Sequence, residues 1–251
     1  MAEMKRVNRI FCILPIGALF ILWEGFSRTA IIPSEILPPL TTSLQESLKI
    51  VASSEFSKHL FASAYRWAIG FSISLMLSVP VGIAMAKSKR AYHFLDPLLT
   101  LTYPVPKVAL VPILMLWLGA GDLSKVAVIV IGCCIPLVIS AYHGAQGVET
   151  SLIWSARAMG LGRRAILFRI ILPASLPALF SGIRMALAIS MIVVLGSEMI
   201  ARQSGLGYYL FNSLEMGLYQ TTYSVLILIS GIGFLLDTIF CLVMKKALVW
   251  V

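Results

Sequence analysis

The chain has 251 residues, of which 59% are hydrophobic and only 12% are charged, and its mean hydropathy is +0.93. Soluble domains average about 45–50% apolar and about 25% charged residues, so this composition excludes a water-soluble globular domain and a disordered chain. The net charge of +9 would favour nucleic-acid binding in a soluble protein, but in a membrane protein an excess of Lys and Arg marks the cytoplasmic loops.

Six stretches are apolar enough to cross a membrane as helices, each of which needs about 20 residues. They cover approximately 10–27, 62–86, 96–120, 124–146, 176–200 and 221–244. The first follows three basic residues, as a signal peptide does, but no small-residue cleavage site follows it, so we interpret it as an uncleaved span. Prolines interrupt the third stretch, which a membrane helix tolerates where neighbours satisfy the freed carbonyls.

The basic residues indicate the direction of the spans. With the N-terminus in the cytoplasm, the cytoplasmic segments carry twelve Lys and Arg residues and the outer segments carry five. Because cytoplasmic loops are enriched in these residues, we expect both termini in the cytoplasm and no nucleic-acid partner.

The second stretch carries small residues at every fourth position, namely Gly70, Ser74, Ser78, Gly82 and Ala86. On a helix they share one face, and small side chains let another backbone approach closely. The stripe therefore predicts close helix packing, either within the chain or against a second copy of it.

No catalytic or metal-binding pattern occurs in the sequence. The four cysteines (Cys12, Cys133, Cys134 and Cys241) lie in apolar stretches without CxxC spacing, which is typical of small hydrophobic side chains. The three histidines are scattered, and neither a G-x-x-x-x-G-K-S/T phosphate loop nor a G-x-S-x-G elbow is present. We therefore expect no metal, no cofactor and no catalytic residue in this chain.

The longest cytoplasmic connection, residues 147–175, is the most informative segment. Two short helical patterns flank the break Gly160-Leu161-Gly162, and arginines flank the apolar positions. This pattern favours a helix–turn–helix that docks a soluble partner; the alternative is a helix hairpin resting on anionic headgroups.

This connection resembles the EAA loop of ABC-importer permeases, whose pattern is Glu-Ala-Ala, three residues, Gly, nine residues, Ile, one residue, Leu-Pro. The matching positions are Ala156, Gly160, Ile170, Leu172 and Pro173. Ser155 replaces the first Ala and Trp154 replaces the Glu, so this chain has no carboxylate at the position of that Glu.

The resemblance extends over most of the chain and is to permeases of the nitrate, sulfonate and taurine subfamily. The stretches that carry it include Ile36–Pro39, Tyr65–Phe71, Leu95–Leu99, Tyr103–Pro106, Ser197–Ile200 and Gly205–Gly207. It implies an all-α integral membrane protein with six transmembrane helices, the MetI-like fold of type I ABC importers, and a single permease domain over residues 1–251. Its location would be the prokaryotic cytoplasmic (inner) membrane.

The resemblance also implies partners. A second copy of this chain would complete the translocation path for a small anionic solute such as a sulfonate, taurine or nitrate, delivered by an extracytoplasmic binding protein. Two copies of a separate ATP-binding subunit would bind ATP and Mg²⁺ and dock on the coupling loop. The implied docking residues are Trp154, Ser155, Ala156, Arg157, Met159, Gly160, Leu161, Gly162 and Arg163, with Ile170, Leu172 and Pro173 ending the loop.

Two other classes of function remain as alternatives to transport. A membrane-embedded enzyme would need acidic groups that converge at one depth, and only Asp237 lies clearly inside a span. A signalling scaffold would need neither the proline-broken span nor an arginine in the membrane.

Charged residues inside spans are costly, so Lys107, Arg184 and Glu198 are candidates for the translocation path. Arg184 either attracts an anionic solute, or pairs with Asp96 or Asp237, or extends its head group to the interface.

Glu198 and Lys107 also have more than one interpretation. Glu198 either gates the path or contacts the binding protein, or it pairs with Arg202 four residues later. Lys107 is expected to face water or a partner carboxylate.

Overall fold

A computed structural model describes residues 2–29 and 31–249; for residues 2–13 and 16 it describes the backbone and not the side chains. The described chain is all-helical. Its α-helices, in chain order, are α1 (Ala2–Arg28), α2 (Leu40–Val51), α3 (Ser54–Lys87), α4 (Lys89–Thr102), α5 (Val111–Leu118), α6 (Asp122–Gln146), α7 (Thr150–Ala158), α8 (Arg163–Ile166), α9 (Leu172–Ala201), α10 (Leu206–Glu215) and α11 (Tyr219–Ala247). A 3-10 turn, Lys107–Leu110, precedes α5, and a π-helical segment, Leu167–Ile171, joins α8 to α9.

Four helical stretches of the described chain are long and apolar enough to span a membrane: α3, α6, the continuous stretch from α8 through α9, and α11. A fifth span would consist of α4 together with residues Lys107–Leu118, which are bent by 91° relative to it. The first predicted span, 10–27, lies within α1, but the side chains of residues 10–13 and 16 are outside the described part of the chain.

The bend between α4 and α5 follows from proline chemistry. Pro104 and Pro106 have no N–H to donate to a helical ladder, so α4 ends just before them. The Lys107 ammonium group then donates to the backbone carbonyls of Thr102, Tyr103 (3.1 Å) and Val105 (2.8 Å). These bonds satisfy carbonyls that the broken helix leaves free.

The centre of the fold consists of α3, α6 and α9, with α6 packed between the other two. A Cβ at Gly70 would lie 2.8 Å from the Ile129 side chain, and one at Gly82 would overlap the Val138 carbonyl. Ser74 on the same face donates to the Val130 carbonyl at 3.3 Å. The small-residue stripe of α3 is therefore used for packing within the chain, against α6.

The two ends of the helical core differ in what covers them. At one end, which we call the loop end, residues 147–171 connect α6 to α9. At the other, the far end, α10 lies against α9, α11 and α3, and α2 lies mainly against α11. The Ser224 hydroxyl of α11 donates to the Ser43 carbonyl of α2 at 2.9 Å, and Ser47 of α2 donates to the Ser224 carbonyl at 3.2 Å. Bonds of this kind hold α2 firmly on α11.

Candidate functional site

The coupling loop, residues 147–175, contains a glycine turn that only a glycine accommodates without strain. Gly160 has φ +80°, in the left-handed region. Its N–H donates to the Arg157 carbonyl at 2.9 Å, and the Leu161 N–H donates to the Ala156 carbonyl at 3.0 Å. These two bonds form a Schellman motif that ends α7 and reverses the chain. The positive φ of this turn therefore explains why the EAA pattern has a glycine at this position.

The inner face of the loop is anchored in a small apolar cluster. Ala156 is fully buried among Val148, Ile166 and Ile171, and the cluster also contacts Ile83 of α3. Because Ala156 is fully buried in this cluster, a larger or charged side chain there is expected to separate the loop from the helical core. The loop is in this way packed against the core helix α3.

The π-helical segment before α9 can be explained by Pro173. A proline at this position removes the hydrogen bond that its N–H would make to the Arg169 carbonyl, and its ring crowds that carbonyl. The Leu172 N–H instead donates to the Leu167 carbonyl, five residues earlier. The Leu-Pro of the EAA pattern thus marks a local widening of the helix at the end of the coupling loop.

The outer face of the loop is exposed. Trp154 and Met159 are 66% and 71% exposed, and Phe168 is 64% exposed. Among the predicted docking residues, Trp154, Ser155, Arg157, Met159, Gly160, Gly162 and Arg163 are exposed, Leu161 is half-buried and Ala156 is buried; of the loop-ending residues, Ile170, Leu172 and Pro173 are half-buried. Apolar side chains in a polar loop beside a membrane are typical of a protein contact surface.

At the far end, a fully buried carboxylate organises four parts of the chain. Glu198 accepts hydrogen bonds from Ser63 Oγ (2.8 Å), Arg66 Nη1 (2.8 Å) and the Gly207 N–H (3.0 Å). Arg66 also donates to Asp122 Oδ1 at 2.7 Å and to Ser204 Oγ at 2.6 Å. The pair therefore ties α3, the start of α6, the end of α9 and the start of α10 together.

The predicted pairing of Glu198 with Arg202 is wrong. Arg202 ends α9 in a left-handed conformation (φ +50°), which turns its side chain away from the preceding helical turn. It bonds to Glu215 at 2.6 Å instead and lies over the ring of Phe211. Sequence spacing missed Arg66; the signal that could have found it is an arginine in an apolar helix, which requires a partner.

The other two path candidates are also bonded within the protein. Arg184 forms a two-bond ion pair with Asp237, with both N–O distances 2.8 Å, which is one of the alternatives expected from the sequence. Lys107 contacts the carbonyls of the α4–α5 bend rather than a carboxylate. The structure therefore does not bring Lys107, Arg184 and Glu198 together in one site.

Comparison with known proteins identifies the family. A model of the family described as binding-protein-dependent transport system inner membrane component matches residues 78–248, which is more than half of the chain. The chain belongs to this family. The permease is 29% identical over 246 residues to the Bacillus subtilis protein named as aliphatic sulfonates transport permease SsuC, covering 98% of this chain and 89% of the relative. It is 31% identical over 232 residues to the taurine transport system permease protein TauC of Escherichia coli, covering 89% and 84%.

The fold is shared with a solved ABC transporter. A chain of an inward-facing structure of the MetNI methionine ABC transporter matches with a TM-score of 0.65 at 15% identity, over 75% of this permease and 94% of that chain. The all-helical, MetI-like fold expected from the sequence is therefore confirmed. The protein is a multi-pass inner-membrane permease subunit of an ABC importer, in which ATP hydrolysis takes place on a separate chain. Membership of this family implies an ATP-binding subunit and a substrate-binding protein as partners.

Proposed function

We propose that this permease translocates a small anionic solute of the sulfonate type, which an extracytoplasmic binding protein delivers. The names of the SsuC and TauC relatives support this class of solute. Two copies of the permease would form the path, and two ATP-binding subunits, which carry ATP and Mg²⁺, would dock on them. Six spans with both termini on the side of the coupling loop fit the distribution of Lys and Arg.

The cationic groups are already bonded within the protein, which favours weak binding of a passing anionic solute over tight binding. In the described part of the chain, Arg66 and Arg184 are held by carboxylates and Lys107 by backbone carbonyls, and the fully buried Lys125 donates to the side-chain oxygen of Gln203 at 3.1 Å. A solute that met a free fixed cation would be bound strongly and released slowly, whereas transport requires weak binding on the way through. Selection of the solute would then take place mainly on the binding protein.

The observation that carries the proposal is the two-sided coupling loop, with Ala156 buried against the core and Trp154 and Met159 exposed. A separate subunit that binds the exposed Trp154 and Met159 side chains would transmit its movement to the core helices through the buried Ala156. Exposed aromatic and Met side chains are also the residue types that contribute most at protein contacts.

The test is co-purification of the ATP-binding subunit with permease variants, together with solute uptake by the reconstituted importer. Trp154→Ala with Met159→Ala should weaken the association by about tenfold or more, since truncation of contact residues at an interface centre costs about 2 kcal/mol. Trp117→Ala is the matched control, because Trp117 is 77% exposed on α5, away from the loop. Full association and uptake in the loop variant, or an equal loss in the control, would refute the proposed docking surface.

The orientation has a separate test. A cysteine replacing Arg163, which is exposed on the coupling loop, should react with a membrane-impermeant maleimide only after cells are permeabilised. Reaction in intact cells would place the loop outside and overturn the proposal.

A further inference from the structure

The segment that joins α9 to α10 at the far end, residues 203–207, is bonded at every residue to a side chain of a core helix. We call this segment the far-end turn. The bonding side chains are Lys125 of α6, Arg66, His59 and Ser63 of α3, and Glu198 of α9. Histidine is the residue type among these that ordinarily titrates near neutral pH, with a pKa of about 6.5. The bond to His59 is therefore the one most open to control by the pH of the medium.

The bond between Gly205 and His59 fixes the protonation of the ring. The Gly205 N–H donates to His59 Nδ1 at 3.1 Å, so Nδ1 carries no proton and the neutral ring has its proton on Nε2. Gly205 is buried, with φ +117°, and a Cβ there would overlap the Glu198 carboxylate. Because an unpaired buried N–H is costly, the far-end turn keeps this conformation only while His59 offers an acceptor.

Two aromatic rings of α10 fix the position of the imidazole. Tyr209 is stacked on it, with centroids 5.2 Å apart and an angle of 18° between the planes, and Tyr208 is tilted against it at 5.5 Å. A protonated imidazole has an N–H at both nitrogens and no acceptor, so no rotation of the ring restores the bond to Gly205. Protonation of His59 and its bond to Gly205 therefore exclude each other.

The charges around His59 are of both signs. On α3 itself, Glu55 attracts a proton to the ring, whereas Arg66 and Lys58 repel it. On α2, the carboxylate of Glu46 acts on the neighbouring ring of Tyr209. Once the far-end turn has moved away, Glu55 and the tyrosine rings can accommodate the imidazolium. The hydrogen bond to the turn, and not a single dominant charge, thus decides whether the ring is neutral.

We propose that His59 is a proton-sensitive latch for the far-end turn, which the neutral ring holds closed and the protonated ring releases. The Gly205 N–H then leaves its buried site together with those of Leu206 and Gly207, which lose their bonds to α3 and α9. In the proposed orientation this end faces the extracytoplasmic medium. Acidification of that medium would thereby loosen the surface that the binding protein meets.

The test is hydrogen–deuterium exchange of the purified complex of permease and ATP-binding subunit, measured by mass spectrometry at pH 7.5 and 5.5. Protection factors, which are corrected for the intrinsic effect of pH on exchange, report how often a segment opens. Because only the open turn takes up the proton, with the ordinary pKa of about 6.5, its population rises about tenfold between these two pH values. Protection of residues 203–207 should fall by that factor in the parent.

Variants then assign the effect to His59. His59→Asn places an acceptor oxygen near the position of Nδ1 and does not titrate, so its protection should be high and equal at both pH values. His59→Ala removes the acceptor, so its protection should be low and equal at both. His93→Asn is the matched control: His93 is exposed on α4, away from the far end, so this variant should keep the tenfold response of the parent.

Three results would overturn the inference. The first is equal protection of residues 203–207 at both pH values in the parent. The second is a tenfold fall that persists in His59→Asn or in His59→Ala, which would assign the response to another group. The third is a fall that extends to residues 126–141 of α6, which would show general acid unfolding. The measurement uses no solute, so its failure would refute the latch and leave the proposed transport function standing.

Discussion

The buried ion pair at the far end allows a quantitative prediction for Glu198→Gln. Glu198 is fully buried and accepts bonds from Ser63, Arg66 and the Gly207 N–H. A glutamine keeps one acceptor oxygen, but its amide group would point donor hydrogens at Arg66 or Ser63. The guanidinium would then keep only Asp122, which is 52% exposed, as a charged partner.

Breaking a buried pair by removing one partner costs about 3–5 kcal/mol. Because the amide retains one acceptor and Arg66 keeps Asp122, we expect Glu198→Gln to lower the free energy of unfolding by about 3 kcal/mol, the lower end of that range. The matched control is Glu215→Gln. Glu215 and its partner Arg202 are 43% and 58% exposed, and a pair at the surface contributes only about 0–1 kcal/mol.

The assay is reversible unfolding of the purified permease in mixed micelles, titrated with SDS and followed by tryptophan fluorescence. A double-mutant cycle with Arg66→Gln should show that the two losses are not additive, since each variant removes the same interaction. A loss for Glu198→Gln no larger than that for Glu215→Gln, or strict additivity with Arg66→Gln, would show that the buried pair does not stabilise the fold in this way.

Two glycine substitutions test the packing in the same unfolding assay. Gly205→Ala should lower the free energy of unfolding by at least about 2 kcal/mol more than Gly119→Ala does. Both glycines have a positive φ, but a Cβ at Gly205 would overlap the Glu198 carboxylate, whereas no atom lies near a Cβ at Gly119. Equal losses for the two variants would show that the Glu198 carboxylate can move away from the added methyl group, and would contradict its fixed position. Gly82→Ala should lower the free energy of unfolding by about 1–3 kcal/mol, because the added Cβ would overlap the backbone of α6. Gly231→Ala, in open space on α11, should raise it by about 0.5–1 kcal/mol. An increase for Gly82→Ala would contradict the close contact between α3 and α6.

The features that the sequence predicted correctly are those set by neighbouring residues. The Gly160 turn and the Leu-Pro at the end of the coupling loop act within one or two helical turns, so their spacing is visible in the sequence. The apolar runs of α3, α6, α9 and α11 are likewise a property of each segment alone.

The features that the sequence did not reveal depend on how distant segments pack. Glu198 is paired with Arg66, 132 residues away, rather than with its i+4 neighbour. That choice depends on the rotation of α3 against α9, which residue spacing does not encode. In the same way, Lys107 turns to carbonyls that become free only because the chain bends there, and His59 meets Gly205 only where α3 lies beside the start of α10.

The proposed importer depends on one contact, which a separate ATP-binding subunit makes with the exposed face of the coupling loop. The most direct measurement is site-specific photo-cross-linking in the assembled importer, with a photoreactive residue at Trp154 and, as control, at Trp117. We expect an adduct with the ATP-binding subunit from position 154 and none from position 117. An adduct from position 117 alone, or none with the ATP-binding subunit from position 154, would contradict this contact.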